Sequence, residues 1–340
     1  LPLNIMIVLR LRGRLGNQLF IYAFGRSLQE KFNDELVLLD NENDTGGTIL
    51  NQFRLPNNVK IVPISYGYKY DYYNMKASDY KKISNRIINS IKKEIYFNKQ
   101  CKNMNIPQMS FIQKIDYFMY KVNTRKKSRR ECYNYEIKNS ERLNKAGLYI
   151  CENGYVEFKY PKKKNIFAFG YFQSTKYFKD IEKEIKKEIR PKKELRNELM
   201  PFIDEIKEGD SVCLSIRMGD YIKNPIHGVC SQKYYQAAID KMYELHPNAK
   251  IFVFSDDVEA VKKTYSFKNN VFYEPDGCNE LEKITYMSMC KHFILSNSSF
   301  SWWTQYLCSY EKKTVIAPEK WYAVDIPCDI YEDNWILLSV

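Results

Sequence analysis

Histidine is scarce in this chain, with three in 340 residues, and that argues against a histidine-based metal centre. Cysteine is present but unpatterned: nine scattered residues, an odd number, with no C-x-x-C pair. Such usage argues against a disulfide framework or zinc cluster and for reduced thiols in a cytosol. No apolar run approaches the ~18 residues of a membrane span. No charged-then-apolar leader opens the sequence, so a cytoplasmic setting is the expectation. Neither G-x-G-x-x-G nor a P-loop occurs, which removes both common phosphate-binding fingerprints. No D-x-D lies in a metal-binding context, and no internal repeat is evident.

What is present reads as globular. Hydrophobic residues make up 44% and charged residues 28% of the chain, values typical of packed domains. The length suits about two of them. The net charge of +12 attracts phosphates, whether on a nucleotide, a membrane or a nucleic acid. The basic residues concentrate at Lys121–Arg130 and Lys162–Lys164. These runs read either as solvated loops or as a peripheral contact with an anionic membrane. No nucleic-acid module accompanies them, so nucleic acid is not an expected partner.

Periodicity organises the two ends of the chain better than its middle. Ile5–Leu11 reads as a strand, Arg12–Gly16 as a Gly/Arg turn, Asn17–Phe32 as a helix and Glu35–Leu39 as a second strand ending in Asp40. The turn either brings backbone close to a ligand at a helix start or is simply tight, with Asn17 as cap. Between Asp40 and Pro161 the pattern is weak. Asn85–Glu94 and Met109–Val122 look helical, and the tyrosines from Tyr66 to Tyr73 read as ordinary packing or a sugar platform. Lys164–Gly170 resembles a strand and Lys179–Arg190 a charged helix stopped by Pro191.

Beyond it, strands and helices alternate. Val212–Ile216, Lys250–Phe254, Val271–Tyr273, His292–Leu295 and Thr314–Ala317 read as strands. Gln232–Leu245, Val258–Lys263, a segment opened by an Asn279/Glu282 capping box and running to Cys290, and Ser301–Cys308 read as helices. Alternation implies a parallel sheet with helices on both faces. Three strands end in polar clusters: Arg217 with Asp220, Asp256 with Asp257, and Asn297 with Ser298 and Ser299. Parallel strands put such clusters along one edge, where ligands bind. An arginine grips phosphate bidentately, and hydroxyls at a helix start hold the same anion. A carboxylate accepts from guanine N–H groups or ribose hydroxyls. The combination suits a nucleotide.

Three stretches together resemble glycosyltransferase family 11, the α-1,2-fucosyltransferases: GRLGNQLF at Gly13–Phe20, SIRMGDY at Ser215–Tyr221 and SNSSFSWW at Ser296–Trp303. GYFQSTKYF at Gly170–Phe178 and HGVCSQKYY at His227–Tyr235 are also similar to that family. The order and spacing fit over nearly the whole chain. The resemblance implies an α/β, GT-B type fold of two Rossmann-like domains facing across a cleft. The expected division is an acceptor-side domain at 1–178 and a domain binding the nucleotide sugar at 179–340, with the last residues packing back on the first domain. It implies GDP-β-L-fucose as donor, inversion to an α-linkage, usually at O2 of galactose, and no required metal or other cofactor.

Position by position, Arg217 matches the family arginine expected on the donor β-phosphate. Asn17 matches the residue that reaches the donor from the other domain. Gly16 belongs to the same loop. Ser298, Ser299 and Phe300 match the stretch lining the diphosphate, with Asn297 beside them. Asp256 and Asp257 are similar to acids expected near guanosine. His227 matches a frequent family histidine. The family pattern is HxRRxD, and this chain carries Ser215 at its histidine and Met218 at its second arginine, keeping Arg217 and Asp220. Asp40, Asp220 and His227 are the candidate general bases.

The reading is thus a bacterial-type cytosolic transferase of O-antigen or other polysaccharide biosynthesis. Its acceptor would be a galactose-containing oligosaccharide or lipid-linked glycan. The alternatives are a transferase of another nucleotide sugar and a non-catalytic carbohydrate- or anion-binding protein on the same fold.

Overall fold

The computed structural model describes residues 6–64, 102, 104, 106–161, 165–219, 221, 224–269 and 271–340. The tyrosine-rich stretch Tyr66–Tyr73, the expected helix Asn85–Glu94, the basic run Lys162–Lys164 and the candidate base Asp220 lie outside them. The chain forms two compact units. One holds Leu1–Asn51 with Leu55–Glu182, the other Lys183–Val340 with the short segment Gln52–Arg54. The sequence had placed the boundary after Phe178.

The first unit is built on a five-stranded parallel sheet, β1 Met6–Arg10, β2 Glu35–Asn41, β3 Val59–Ile64, β4 Leu148–Cys151 and β5 Ile166–Gly170, in the order β3-β2-β1-β5-β4. Side-chain alternation sends Val8, Val37, Leu39, Ile150 and Phe167 to one face, where Tyr120 and Leu143 cover them. Leu9 and Leu36 point to the other face and meet helix α1, Leu15–Phe32, at Gly25. A Cβ on Gly25 would come within 2.9 Å of Leu36, so close packing of helix on sheet needs glycine there. α1 starts two residues before the expected Asn17, and its cap position is Arg14. Asn17 therefore sits in the first turn instead of capping it.

The face bearing Val8 is covered by α2, Phe111–Thr124, and α3, Arg129–Lys145. Tyr117 of α2 stacks on Phe169 at 4.4 Å. α3 was not expected, because its composition is strongly polar. The signal that marks it is a capping box, with Ser128 Oγ accepting from Glu131 N and the Glu131 carboxylate accepting from Ser128 N.

α3 also buries Glu136 completely. Its carboxyl accepts from the Tyr120 hydroxyl at 2.7 Å and from Glu152 N at 3.2 Å. Burial pushes its pKa up to about 8, with the negative charge of Glu152 acting in the same direction. Between pH 4.5 and about 8 the folded unit keeps a proton that the unfolded chain has released. Its stabilising contribution is therefore full below pH 4.5 and lost as pH rises through 8. Melting curves over that range should show a decline on the order of a few kcal/mol. Glu136→Gln should flatten it, and an unchanged slope would assign the pH dependence elsewhere.

The second unit carries six parallel strands, β6 Ser211–Ile216, β7 Lys250–Ser255, β8 Val271–Tyr273, β9 His292–Ile294, β10 Val315–Pro318 and β11 Ile336–Leu338, in the order β11-β10-β9-β6-β7-β8. Val212, Leu214, Ile216, Ile251 and Val253 pack against α5, Gln232–Leu245, and α6, Val258–Thr264. On the opposite face Phe252 and Phe254 meet Phe202 of α4, Met200–Lys207, and Phe254 also meets Tyr286 of α7, Glu280–Met287. The expected Asn279/Glu282 capping box is present. The last helix, α8, covers Ser299–Leu307. Both expected Rossmann-like units are there. Strands β3, β4 and β11 extend the sequence reading. Ile336–Leu338, near the end of the chain, forms the edge strand of the second sheet.

Candidate active site

The strand order of the second sheet fixes where a ligand belongs. From β6 the chain runs outward through β7 and β8, then returns to the other side of β6 for β9 and β10. The connections leaving β6 and β9 therefore diverge at their carboxyl ends and open a crevice, the position at which parallel α/β sheets bind ligands. Arg217, the Asp256/Asp257 pair and the Asn297–Ser299 stretch follow adjacent strands, β6, β7 and β9, at that edge.

Arg217 leaves the end of β6. Its Nη1 lies 3.1 Å from Asp256 Oδ2, at the end of β7. The other carboxylate oxygen accepts from Met218 N at 2.8 Å. Asp256 thus holds both the guanidinium and the backbone that carries it. Gly219 completes the turn at φ +20°, and a Cβ there would meet Asp256 Oδ2 at 2.6 Å. The guanidinium lies over the Tyr221 ring at 5.2 Å, and that ring stacks on His227 at 4.9 Å. Met218 points the other way, into the core beside Tyr234 and Tyr235.

On the other side of the crevice α8 begins. Ser298 is its N-cap, accepting from Phe300 N at 3.3 Å, so the positive end of the helix opens at this edge. Asn297 just before it is 3% exposed, and its amide donates to His227 O at 2.9 Å and Trp321 O at 3.0 Å. Arg217 and the α8 terminus both offer donors of the kind that suit an anion, a guanidinium fork and a helix start.

In the first sheet β1 and β5 are parallel neighbours, so the loops that leave their carboxyl ends start side by side. The turn after β1 contains Gly13 at φ +66°, where a Cβ would lie 2.5 Å from Asn17 Nδ2. Gln18 Nε2 donates to Gly13 O at 2.8 Å and its Oε1 accepts from Thr48 at 2.6 Å. Asn17 Oδ1 accepts from Gln173 Nε2 at 2.8 Å, which ties the loop after β1 to the loop after β5. Arg12 pairs with Glu152 at 2.7 Å and lies over Tyr171 at 4.7 Å.

A model of the family described as glycosyl transferase family 11 matches residues 5–339 of this chain. The chain belongs to that family. Among curated relatives, this family 11 member is 34% identical over 52% of its length to an α-1,2-colitosyltransferase of Escherichia coli, of which it spans 64%. It is 28% identical over 96% of its length to the O-antigen biosynthesis glycosyltransferase WbnK of the same species, spanning 99% of it. A galactoside 2-α-L-fucosyltransferase of Caenorhabditis elegans is 30% identical over 40% of this chain and 41% of that one.

Within this family 11 chain the sequence-named residues separate by what their side chains do. Arg217 follows β6, Ser298, Ser299 and Phe300 begin α8, and His227 stacks on Tyr221, while Gly16 and Asn17 lie in the first turn of α1 in the first unit. Asp256 and Asp257 do not act as an equivalent pair. Asp256 holds Arg217, and Asp257 Oδ1 caps α6 by accepting from Ala260 N at 2.9 Å. Asn297 braces two loop carbonyls. Asp40 has both carboxylate oxygens committed, to the Thr45 hydroxyl at 2.6 Å and to Thr48 N at 3.1 Å, so it organises its loop and is a poor general base.

Sequence reasoning missed Gln173, Glu152 and a brace formed by Glu274, Lys283 and Tyr286. Glu274 Oε1 accepts from Ser255 N at 2.8 Å, Lys283 Nζ donates to Ser255 O at 2.7 Å, and Tyr286 donates to Glu274 at 2.7 Å. These bonds fix the end of β7 from which Asp256 projects. The available signal was Glu274 itself, an acid directly after the short strand β8.

Asp210, His246 and His292 bring ligand-type atoms within 4.8 Å of one another at the opposite, amino-terminal edge of the second sheet. The tautomer there argues against a metal. His292 Nδ1 accepts from Thr314 N at 3.0 Å, so the neutral ring carries its proton on Nε2, which faces Asp210 at 4.0 Å. Burial, followed by His246, pushes the His292 pKa down to about 4 and keeps the ring neutral. A protonated nitrogen has no lone pair for a metal.

Proposed function

We propose that this family 11 transferase moves an L-fucosyl group from GDP-β-L-fucose to O2 of a galactoside, with inversion, during assembly of a surface polysaccharide. The observation that carries the reading is Arg217, fixed by Asp256 at the switch-point edge beside the start of α8. That geometry suits a diphosphate leaving group. The acceptor oxygen attacks C1, the bond from C1 to the β-phosphate oxygen breaks, and GDP leaves with the electron pair. Arg217 meets the charge as it develops. The hydroxyl proton passes to a base. Of the bases weighed, Asp40 is committed to its own loop, and Asp220 and His227 are our remaining candidates. Asn17, held by Gln173, is assigned to contact with the sugar substrates. We propose that no metal is needed, because an arginine and a helix start already supply the phosphate's donors.

A second reading has its own support. The relative at 34% identity is named for colitose, which is L-fucose without its 3-hydroxyl. The deciding experiment supplies GDP-fucose, GDP-colitose and UDP-sugars in parallel with a β-galactoside and determines the product linkage by NMR. GDP release with fucose, an α-1,2 product and an unchanged rate after exhaustive EDTA treatment are expected. Turnover of GDP-colitose alone would move the assignment to the second reading. Turnover of UDP-sugars alone, or loss on EDTA restored by Mg²⁺ or Mn²⁺, would overturn the donor or the metal-free claim respectively.

A further inference from the structure

Helix α2 is built with its apolar side outward. Its inner face is polar and aromatic. Gln113 Nε2 donates to Asn165 O at 2.8 Å, Asp116 pairs with Arg142, Tyr117 stacks on Phe169, and Tyr120 reaches Glu136. The outer face carries Phe111, Ile112, Ile115, Phe118, Met119 and Val122, spaced at i, i+1, i+4, i+7, i+8 and i+11. That spacing makes one continuous stripe along a helix of about 21 Å. All six are exposed, Phe111 by 78% and Phe118 by 65%. Isolated exposed apolar residues are ordinary, but an aligned stripe of this length marks an interaction surface.

The turn that follows α2 decides what the surface meets. Arg125, Lys126, Lys127, Arg129 and Arg130 are all exposed there. We propose that α2 and this basic turn dock the protein on an anionic phospholipid bilayer. The stripe would lie in the plane of the interface, with the cations among the headgroups. Among the described residues no helix is long and apolar enough to cross a membrane, so the contact is with the surface. A second copy of the chain is the poorer occupant, since it would cover the stripe and leave the basic turn without an anionic partner. A nucleic acid would use the cations and leave the stripe wet. The proposal concerns the first unit alone and stands whichever sugar is transferred.

The test is flotation of the full chain with vesicles of phosphatidylethanolamine and phosphatidylglycerol, against vesicles of phosphatidylcholine, at low and high salt. Binding to the anionic vesicles that weakens with salt is expected. The exposed double variant Phe111→Ser with Phe118→Ser should lose most of it. Arg125→Gln, Lys126→Gln and Lys127→Gln together should lower partitioning roughly a hundredfold, since each cation near such a surface contributes about a factor of five. Neither variant should alter the melting temperature or turnover with a water-soluble acceptor. The proposal is overturned by absent binding, by equal binding to neutral vesicles, or by variants that float like the parent. Light scattering that finds a dimer abolished by the phenylalanine changes, without vesicle binding, would hand the face to a second copy and overturn it equally.

Discussion

Arg217→Ala is expected to lower turnover by about two to three powers of ten, the scale for removing one preorganised donor from developing charge. Met218, where the family pattern has a second arginine, is buried in the core and offers nothing to the phosphate. Met218 therefore does nothing to soften the loss. Arg217→Lys should recover little, because a single ammonium does not reproduce the two-pronged guanidinium. Asp256→Asn should also reduce turnover, by loosening Arg217, and its effect should nearly vanish when Arg217 is already alanine. Initial rates for the two single variants and the double variant measure that coupling. Additive effects would mean that Asp256 acts on the substrate separately. The melting temperature without ligand should change little, because the Arg217 pair lies partly in solvent.

Gly170→Ala should be among the most destabilising single changes in the first unit. Gly170 has φ +143°, and an added Cβ would sit 1.8 Å from Cys151 O. That oxygen also accepts from Tyr171 N at 3.0 Å, so the strand end cannot shift without losing the bond. The next residue, Phe172, stacks on Phe24 at 4.0 Å, at a left-handed φ of +52°. Together these contacts aim Gln173 at Asn17. A loss of at least about 4 kcal/mol, or failure to fold, is expected. Gly46→Ala and Gly47→Ala are the controls. Both glycines have positive φ but nothing within 4 Å, so each change should cost only about 1–2 kcal/mol. Denaturant midpoints of the three variants compare these costs directly, and a Gly170→Ala as mild as the controls would refute the steric account.

The second unit was legible because its signals are local and repeated. Gln232–Leu245 and Val271–Tyr273 match the observed elements residue for residue, and the Asn279/Glu282 box caps the helix it was read to open. The strands that escaped are short or lie at edges. Pro63 interrupts the pattern of β3, and an edge strand tolerates that interruption because its outer face needs no donor. β11 contributes only three residues. α3 was hidden by polarity, since its burial depends on Leu143, Asn144 and Glu136 rather than on an apolar stripe.

The site divided along the same line. That three strands end in polar residues is sequence information, and parallel alternation gathers them on one edge. Which strands are neighbours is not sequence information. The pairing of β6 with β7 makes Asp256 a partner of Arg217, which the sequence does not show. Asn297 and Asp40 looked like ligand contacts by residue type, yet their hydrogen bonds are spent on the loops around them. Gln173 was visible only as part of a motif, because its partner Asn17 is 156 positions away.

The central claim is that the edge of the second sheet between β6 and β9 holds a nucleoside diphosphate. A crystal structure of the protein with GDP tests it most directly. The account predicts the β-phosphate within hydrogen-bond distance of the Arg217 guanidinium and beside the first turn of α8, with Asp256 still paired to Arg217. A diphosphate bound elsewhere, with Arg217 and the start of α8 untouched, would contradict it.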